Sequence, residues 1–270
     1  MEPLLPLTFQ FLIGALLGLI VGSFLNVVIV RVPEDRSVVH GGSACPVCGQ
    51  AIRWYDNIPL VSWAMLAGRC RSCKTQISLL YPAVELAGAG VVLLSLWVFG
   101  SGWDAAISAV LLLGLIPLAV IDARTKRLPN PIVGTLAVIG VVLVLLAAGF
   151  TGEWRRVIEA LIAAAVCLAF FALLTWGSER LTGRAGMGWG DVKLAGVLGL
   201  YLGWLAPRFV VICFLLAFMS GALVGVGLIV TGKGSRKTAL PFGVYLALGA
   251  LLSVLVADPL ADWYLRVGVA

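Results

Sequence analysis

Eight long apolar runs, joined by mostly short polar segments, constrain this chain more than any other feature of its sequence. Hydrophobic residues make up 61% of its 270 residues and charged residues only 12%. Soluble domains are about 45–50% apolar and about 25% charged, so the composition excludes a soluble globular enzyme. Disorder is excluded as well, because the chain has ample apolar surface to bury. A spanning helix needs roughly 20 residues, and the runs predict such helices near 7–31, 82–99, 104–121, 131–150, 158–176, 192–207, 209–230 and 239–257.

The predicted fold class is therefore an all-α polytopic membrane protein with about eight transmembrane helices and one small polar segment. We divide the chain into a first transmembrane helix at 1–31, the polar segment at 32–79 and the remaining helices at 80–270. The first run follows no basic stretch and is long enough to span, so we expect a retained helix rather than a cleaved signal peptide. The sixth run is short and begins with Asp191 and Lys193, which predicts a tilted, partly buried or broken helix.

The basic residues orient the predicted helices, because cytosolic loops of membrane proteins are enriched in Lys and Arg. With the N-terminus outside and eight crossings, fifteen of the 19 Lys and Arg residues fall on the cytosolic side. The segment 32–79 is then cytosolic and both termini are periplasmic. If the sixth run did not cross, the basic cluster at 233–237 would lie outside, so eight crossings are favoured. We attribute the net charge of +6 to this cytosolic excess of basic residues rather than to nucleic-acid binding, and we expect no nucleic-acid partner.

Four cysteines within the polar segment form two CxxC pairs, Cys45 with Cys48 and Cys70 with Cys73. Two such pairs at this spacing are typical of a four-thiolate zinc site. The alternatives are two disulfides or a redox motif, and cytosolic thiols are normally kept reduced. A short polar segment has little hydrophobic core of its own, so a structural zinc ion would also stabilise its fold. We therefore expect a zinc-binding cytosolic segment.

Two carboxylates from distant parts of the sequence are predicted to reach the same membrane face. Asp122 ends the third run, and Asp191 opens the sixth run after the alternating glycines Gly186, Gly188 and Gly190. Charged residues at membrane depth are costly and usually functional. If the two helices touch, the carboxylates would share a proton and act as general base and general acid on one water. The alternative for each is an ordinary charge at a helix end.

Two further features bear on this predicted site. The Pro241-Phe242-Gly243 break in the eighth run falls at the same membrane face. Broken backbone at this depth is tolerated only when it is buried in protein or lines a wet cavity, so it predicts a third element at the site. Asp104 lies at the opposite end of the third run, where we expect a solvated carboxylate with no special role.

In these residues the chain resembles the bacterial type IV prepilin peptidases, which are membrane aspartic proteases with a GxGD motif. The resemblance runs in order along nearly the whole chain. It rests on the two CxxC pairs and on the stretches 22–33, 54–63 with 81–85, 122–130 and 186–194.

The resemblance implies that Asp122 and Asp191 cleave the basic leader of type IV prepilins or type II secretion pseudopilins after a Gly. It implies a bacterial inner-membrane enzyme that works at the cytosolic face, in contact with membrane lipid. It also implies methylation of the new N-terminal residue, usually Phe, with S-adenosylmethionine as donor. Glu85, one turn into the second run, is a candidate partner for the donor or the substrate amine; its alternative is an ion pair at the interface.

Three other interpretations stay open at this point. The chain could be a peptidase without methyltransferase activity, because the methyl-donor site has no short sequence motif. It could be a proton-coupled membrane transporter that relays protons between Asp122 and Asp191, although such charges usually lie near the middle of the membrane. It could also be a thiol oxidoreductase that uses its CxxC pairs.

Overall fold

The computed structural model describes residues 6–183, 187–233, 235 and 240–268. The chain forms two compact units, Met1–Ser101 and Gly102–Ala270, and each is described by itself. The described residues are mainly helical. β Pairing among them is limited to two isolated bridges. Gly186 and two residues of the basic cluster at 233–237, Arg236 and Lys237, lie outside the described part of the chain.

The first unit contains two long helices, one before and one after the polar segment. In chain order its α-helices are α1 (Leu7–Arg31), the short α2 (Val61–Met65) and α3 (Leu80–Phe99). Helices α1 and α3 pack directly against each other. A Cβ atom on Gly88 would lie only 2.4 Å from the carbonyl oxygen of Gly18. Small residues of this kind let helix backbones approach closely in membranes.

Arg31 organises the chain that follows α1. Its guanidinium donates hydrogen bonds of 2.8–3.1 Å to four backbone carbonyl oxygens. These bonds give the loop's carbonyl groups a protein partner where they would otherwise depend on water. The acceptors are the carbonyl groups of Ser37, His40, Gly41 and Gly42.

The described residues of the second unit form a bundle of six long helices. They are α4 (Trp103–Thr125), α5 (Asn130–Thr151), α6 (Trp154–Thr182), α7 (Trp189–Leu205), α8 (Pro207–Val230) and α9 (Phe242–Gly268).

Helix α7 is the central element of this unit and contacts the five other helices. Every side chain from Leu194 to Trp204 is buried. Its 17 residues span about 26 Å, less than the roughly 30 Å hydrocarbon core of a bilayer. The expectation of a short, partly buried sixth helix is therefore confirmed.

Close backbone packing between α6 and α7 explains how α7 can be enclosed. A Cβ atom on Gly199 would lie 2.6 Å from the carbonyl oxygen of Ala163, and one on Gly203 would lie 2.6 Å from the Ala163 Cβ. Glycine at these positions therefore lets the two helices meet almost backbone to backbone.

The predicted all-α membrane fold is confirmed. All eight apolar runs coincide with long helices, and seven of the described helices are long and apolar enough to cross a membrane. Helix α7 is the long helix that falls outside this group.

Candidate functional site

The four predicted metal-ligating cysteines come together in the first unit. Their Sγ atoms lie within 4.8 Å of one another, and the Sγ atoms of Cys45 and Cys73 are 3.8 Å apart. A tetrahedral zinc ion with Zn–S bonds of about 2.3 Å places its sulfurs about 3.8 Å apart. The cluster of Cys45, Cys48, Cys70 and Cys73 could therefore hold such an ion.

Both CxxC turns have the same backbone hydrogen bonds. The N–H of Cys45 donates to the carbonyl of Gln50 over 3.0 Å, and the N–H of Cys70 donates to that of Thr75 over 2.8 Å. Each turn then passes through a left-handed residue, Gly49 in the first and Lys74 in the second. Two matched turns present their sulfurs to a common centre, which is the arrangement that the CxxC spacing predicts.

The backbone and the crowding of the thiols alter their acidity. Backbone groups of Cys48 and Val47 lower the pKa of the Cys45 thiol to about 6. A backbone contact at Thr75 lowers the pKa of Cys73, but burial and the neighbouring thiols outweigh it and raise that pKa to about 11. Backbone groups of Cys73 and Ser72 also lower the pKa of the Cys70 thiol. One cysteine of each CxxC pair therefore has a lowered pKa, and several thiolates so close together need a cation between them.

Glu85 is buried in α3 with 8% of its surface exposed. Its Oε2 accepts a hydrogen bond of 2.8 Å from the backbone N–H of Leu60, which adopts a positive φ of 59°. Nearby on α1, the side-chain amide of Asn26 donates to the carbonyl of Tyr81 over 3.1 Å. Glu85 therefore fixes the strained turn that leads into α2, a contact that the sequence does not predict.

The second unit brings Asp122 and Asp191 into electrostatic contact. Asp122 lies in the last turn of α4, is 4% exposed, and faces the backbone N–H groups of Gly243 and Val244 at the start of α9. Asp191 lies in the first turn of α7, where the positive end of the helix dipole favours an anion. Asp122 is among the charges near enough to influence Asp191, so the fold brings the two predicted carboxylates into the same neighbourhood.

Leu128 connects the backbones beside the two aspartates. A Cβ atom on Gly190 would lie 2.9 Å from the Leu128 Cβ, and one on Gly243 would lie 2.9 Å from both the Leu128 Cδ2 and the Asp122 Oδ2. A side chain at position 190 would therefore collide with the Leu128 Cβ, and one at position 243 would have to displace the side chain of Leu128 or Asp122. The predicted third element, at the Pro-Phe-Gly break, indeed lies at the aspartates.

Each aspartate buries one oxygen that no described group binds. These atoms are Oδ2 of Asp122 and Oδ1 of Asp191. A buried carboxylate oxygen without a donor is unfavourable by about 1–3 kcal/mol or more. Such atoms in a pair are typical of a site where a proton, water or substrate group completes the hydrogen bonding.

The sequence argument did not predict two contacts within the second unit. Lys193 donates to the side-chain oxygen of Asn130 over 2.9 Å and so links α7 to the start of α5. Asp104, expected to be merely solvated, accepts bonds of 2.7 Å from Arg156 and 2.8 Å from the Trp204 indole. Only the pairing of residues across helices reveals such contacts, and neither has a sequence motif.

The fold and the site define a polytopic membrane protein with two aspartates at helix ends in one unit and a four-cysteine cluster in the other. Two family profiles match these units in turn. The bacterial peptidase A24 N-terminal domain matches residues 16–99, and the type IV leader peptidase family matches residues 109–226. The chain belongs to the type IV leader peptidase family.

The chain is also similar to curated proteins named prepilin leader peptidase/N-methyltransferase. It is 35% identical to one from Pseudomonas aeruginosa, over 97% of this chain and 95% of the relative. It is 35% identical to one from Aeromonas hydrophila, over 93% and 92%, and 33% identical to one from Burkholderia pseudomallei, over 98% and 90%. No solved structure matches the chain.

Proposed function

We propose that this protein removes the leader peptide from prepilins and then N-methylates the new N-terminus. Family membership and the shared name of the relatives support both activities. The protein is a multi-pass protein of the bacterial inner membrane, as its apolar helices and its relatives indicate. Pseudopilins of type II secretion belong to the proposed substrates, because they are expected to carry the same kind of leader.

One observation carries the peptidase half of the proposal, namely that Asp122 is buried, Asp191 is half-buried, and each has one buried carboxylate oxygen without a hydrogen-bond partner among the described residues. Asp122 and Asp191 form the proposed catalytic pair. Two carboxylates in close contact do not both ionise readily, so one holds a proton while the other is charged. Such a pair can supply a general base and a general acid together.

The proposed cleavage uses one ionised and one protonated aspartate. The ionised aspartate takes a proton from a water molecule, whose oxygen attacks the carbonyl carbon of the scissile peptide bond. The protonated aspartate gives its proton to the carbonyl oxygen, which forms a tetrahedral gem-diol. As this intermediate collapses, the first aspartate passes the proton it took from water to the amide nitrogen, and the C–N bond breaks. The second aspartate takes back a proton from the gem-diol, so the amine leaves as the new N-terminus and the pair returns to its starting state. The positive end of α7 stabilises the negative charge of Asp191. Gly188, Gly190 and Gly243 leave room for this exchange beside the carboxylates.

We place the aspartate pair and the segment 32–79 at the cytosolic face, with both termini in the periplasm. The distribution of Lys and Arg supports this orientation. It requires α7 to connect the two faces of the membrane although it is short, and its enclosure by five other helices makes that possible. A basic leader would then meet the aspartates on the side where it is synthesised.

The cysteine cluster is the proposed structural zinc site. Four thiols at tetrahedral spacing suit Zn²⁺, and four protein ligands leave no open position for catalysis by the metal. Zinc would hold together the turns at Cys45 and Cys70, and with them the folded part of the segment. Its role is then stability, because the segment has little apolar core.

S-Adenosylmethionine is the proposed methyl donor, and when bound it supplies a methyl group on a positively charged sulfur. Glu85 remains the candidate residue for this half of the reaction. Because its Oε2 already binds the Leu60 N–H, we propose that Glu85 acts as a positioning residue, which shapes the turn before α2.

The decisive experiment uses purified protein in detergent with a full-length prepilin, with and without S-adenosylmethionine. Mass analysis of the product reports leader cleavage and N-methylation separately. Asp122→Asn and Asp191→Asn should each lower cleavage by several orders of magnitude, since loss of one member of a catalytic unit disables it. The control is Asp258→Asn, which removes an exposed ion pair with Arg208 and should cleave normally.

The outcomes separate the two activities. Near-normal cleavage by either aspartate variant would contradict the proposed catalytic pair. Cleavage without any methyl group on the product would identify a peptidase alone.

A further inference from the structure

The first unit has a cavity of about 170 Å³ beside the metal-binding turns. It lies between the 3₁₀ turn Trp54–Asn57 and helix α2, and Arg71 contributes to its wall. The apolar side chains that line it belong to Ile58, Val61, Met65 and Leu66.

The polar groups of the cavity wall already have partners. Arg71 binds both carboxylate oxygens of Asp56, with Nε to Oδ2 at 2.9 Å and Nη2 to Oδ1 at 2.6 Å. The Ser62 hydroxyl donates to the Tyr55 carbonyl over 2.7 Å and accepts from the Ile58 N–H over 3.1 Å. A ligand with many hydrogen-bonding groups would find few partners here, and leaving such groups unpaired is unfavourable.

The size of the cavity matches one aromatic ring. An enclosed apolar cavity of about 150 Å³ can hold benzene, and this cavity of about 170 Å³ has room for a similar ring although it is open to solvent on one side. The adenine base of a nucleoside has a comparable ring but carries polar edges that this wall does not satisfy. An apolar side chain of ring size is therefore the best-matched occupant.

We propose that this cavity holds the side chain of the first residue of the mature pilin, the residue whose amine is methylated. This inference rests on the proposed methyltransferase function and deepens it, because it assigns a binding site for the acceptor. Seating the ring would hold the new N-terminus within the first unit and would select substrates that begin with Phe.

The same geometry links the acceptor site to the metal centre. Arg71 lies between the ligands Cys70 and Cys73, and its bond to Asp56 ties the second CxxC turn to the turn at Trp54–Asn57. A metal ion that fixes the CxxC turn therefore also fixes one wall of the cavity.

The test uses Val61→Trp in the full-length protein. Val61 lines the cavity and is 51% exposed, so a larger ring there would occupy the space that the ligand needs. The matched control is Val39→Trp, at a position 83% exposed and away from the cavity. The acceptors are short pilin peptides without leader that begin with Phe or with Ala and are otherwise identical. Equilibrium binding and the KM for methyl transfer are measured for each peptide.

We expect the wild-type protein and Val39→Trp to bind the Phe peptide roughly tenfold or more tightly than the Ala peptide, as burial of one ring predicts. Val61→Trp should lose this preference and keep its weaker affinity for the Ala peptide. An unchanged preference, an equal loss for both peptides, or a rise only in the KM for S-adenosylmethionine would overturn the proposal. Binding of the Phe peptide that depends on Val61 but yields no methylated product would instead contradict the methyltransferase function and leave the cavity assignment intact.

Discussion

At the scale of single residues, Gly243 sets the position of Asp122. A Cβ atom there would lie 2.9 Å from Asp122 Oδ2 and 2.9 Å from Leu128 Cδ2, so Gly243→Ala should push the carboxylate out of place. Misplacement of a reacting group by about 1 Å can lower a rate by about 100-fold. We expect a fall in the kcat for leader cleavage of roughly that size, measured by mass analysis of the released peptide.

The control for this substitution is Gly227→Ala on α8, where a Cβ atom would meet no other atom within 4 Å. It should cleave at the wild-type rate. If both variants behave alike, the space beside Gly243 does not determine the position of Asp122.

The candidate site could be predicted from the sequence only in part, and the residues show why. Asp122 and Asp191 stand out because charges at membrane depth are rare and because glycines precede Asp191. Leu128 lies in the stretch 122–130 that carries the resemblance, but as an apolar residue it gives no sign of a role of its own. Its position between the glycines beside both aspartates depends on how three helices meet, which hydropathy does not record. The bond from Glu85 to the Leu60 N–H was missed for the same reason.

At the scale of helices, the pairing of α1 with α3 depends on Gly88. Gly88→Ala would place a Cβ atom 2.4 Å from the carbonyl oxygen of Gly18 and force the two backbones apart. Overpacking of this kind typically destabilises by about 1–3 kcal/mol. Because α3 also carries Glu85, we expect a lower melting temperature in detergent and a loss of methylation.

Gly90→Ala provides a matched control on the same helix, since a Cβ atom there meets nothing within 4 Å. Its melting temperature and methylation should equal those of the wild type. Equal destabilisation by both substitutions would contradict the assignment to the contact between α1 and α3, because Gly→Ala by itself favours a helix.

The helices themselves were predicted better than their ends. Hydropathy located every long helix, but the fifth run at 158–176 is observed as α6, Trp154–Thr182. Polar residues at both ends continue the helix, and a hydropathy criterion does not count them. Helix α7 likewise begins before Asp191. It ends at Leu205, ahead of Pro207, because helical backbone is unfavourable for the residue that precedes a proline.

At the scale of the whole molecule, the orientation of the chain depends on whether α7 connects the two faces. Reporter fusions after Arg71, Arg127 and Arg236 should all indicate the cytosol, and a fusion after Arg156 should indicate the periplasm, as the distribution of basic residues predicts. A periplasmic signal after Arg236 would mean that α7 does not cross. The Pro-Phe-Gly break would then be assigned to the wrong face.

The division of the chain into two units predicts that its two activities can be separated. The cysteine cluster lies in Met1–Ser101 and the aspartate pair in Gly102–Ala270. Replacing Cys45 and Cys48 by Ser removes two of four ligands, and the remaining two thiolates should not hold zinc tightly. The helical bundle of the second unit contains none of these ligands, so we expect bound zinc and methylation to fall far more than cleavage.

Val47→Ala is the control for that double substitution, because it alters an exposed side chain inside the same CxxC turn and spares the ligands. Zinc per protein, leader cleavage and N-methyl product should be measured on one preparation of each variant. A chelator applied to the wild-type protein should reproduce the pattern of the double variant. If cleavage failed first while methylation survived, the zinc-binding segment would serve to dock the leader for the peptidase. The methyl-transfer site would then have to lie outside this segment.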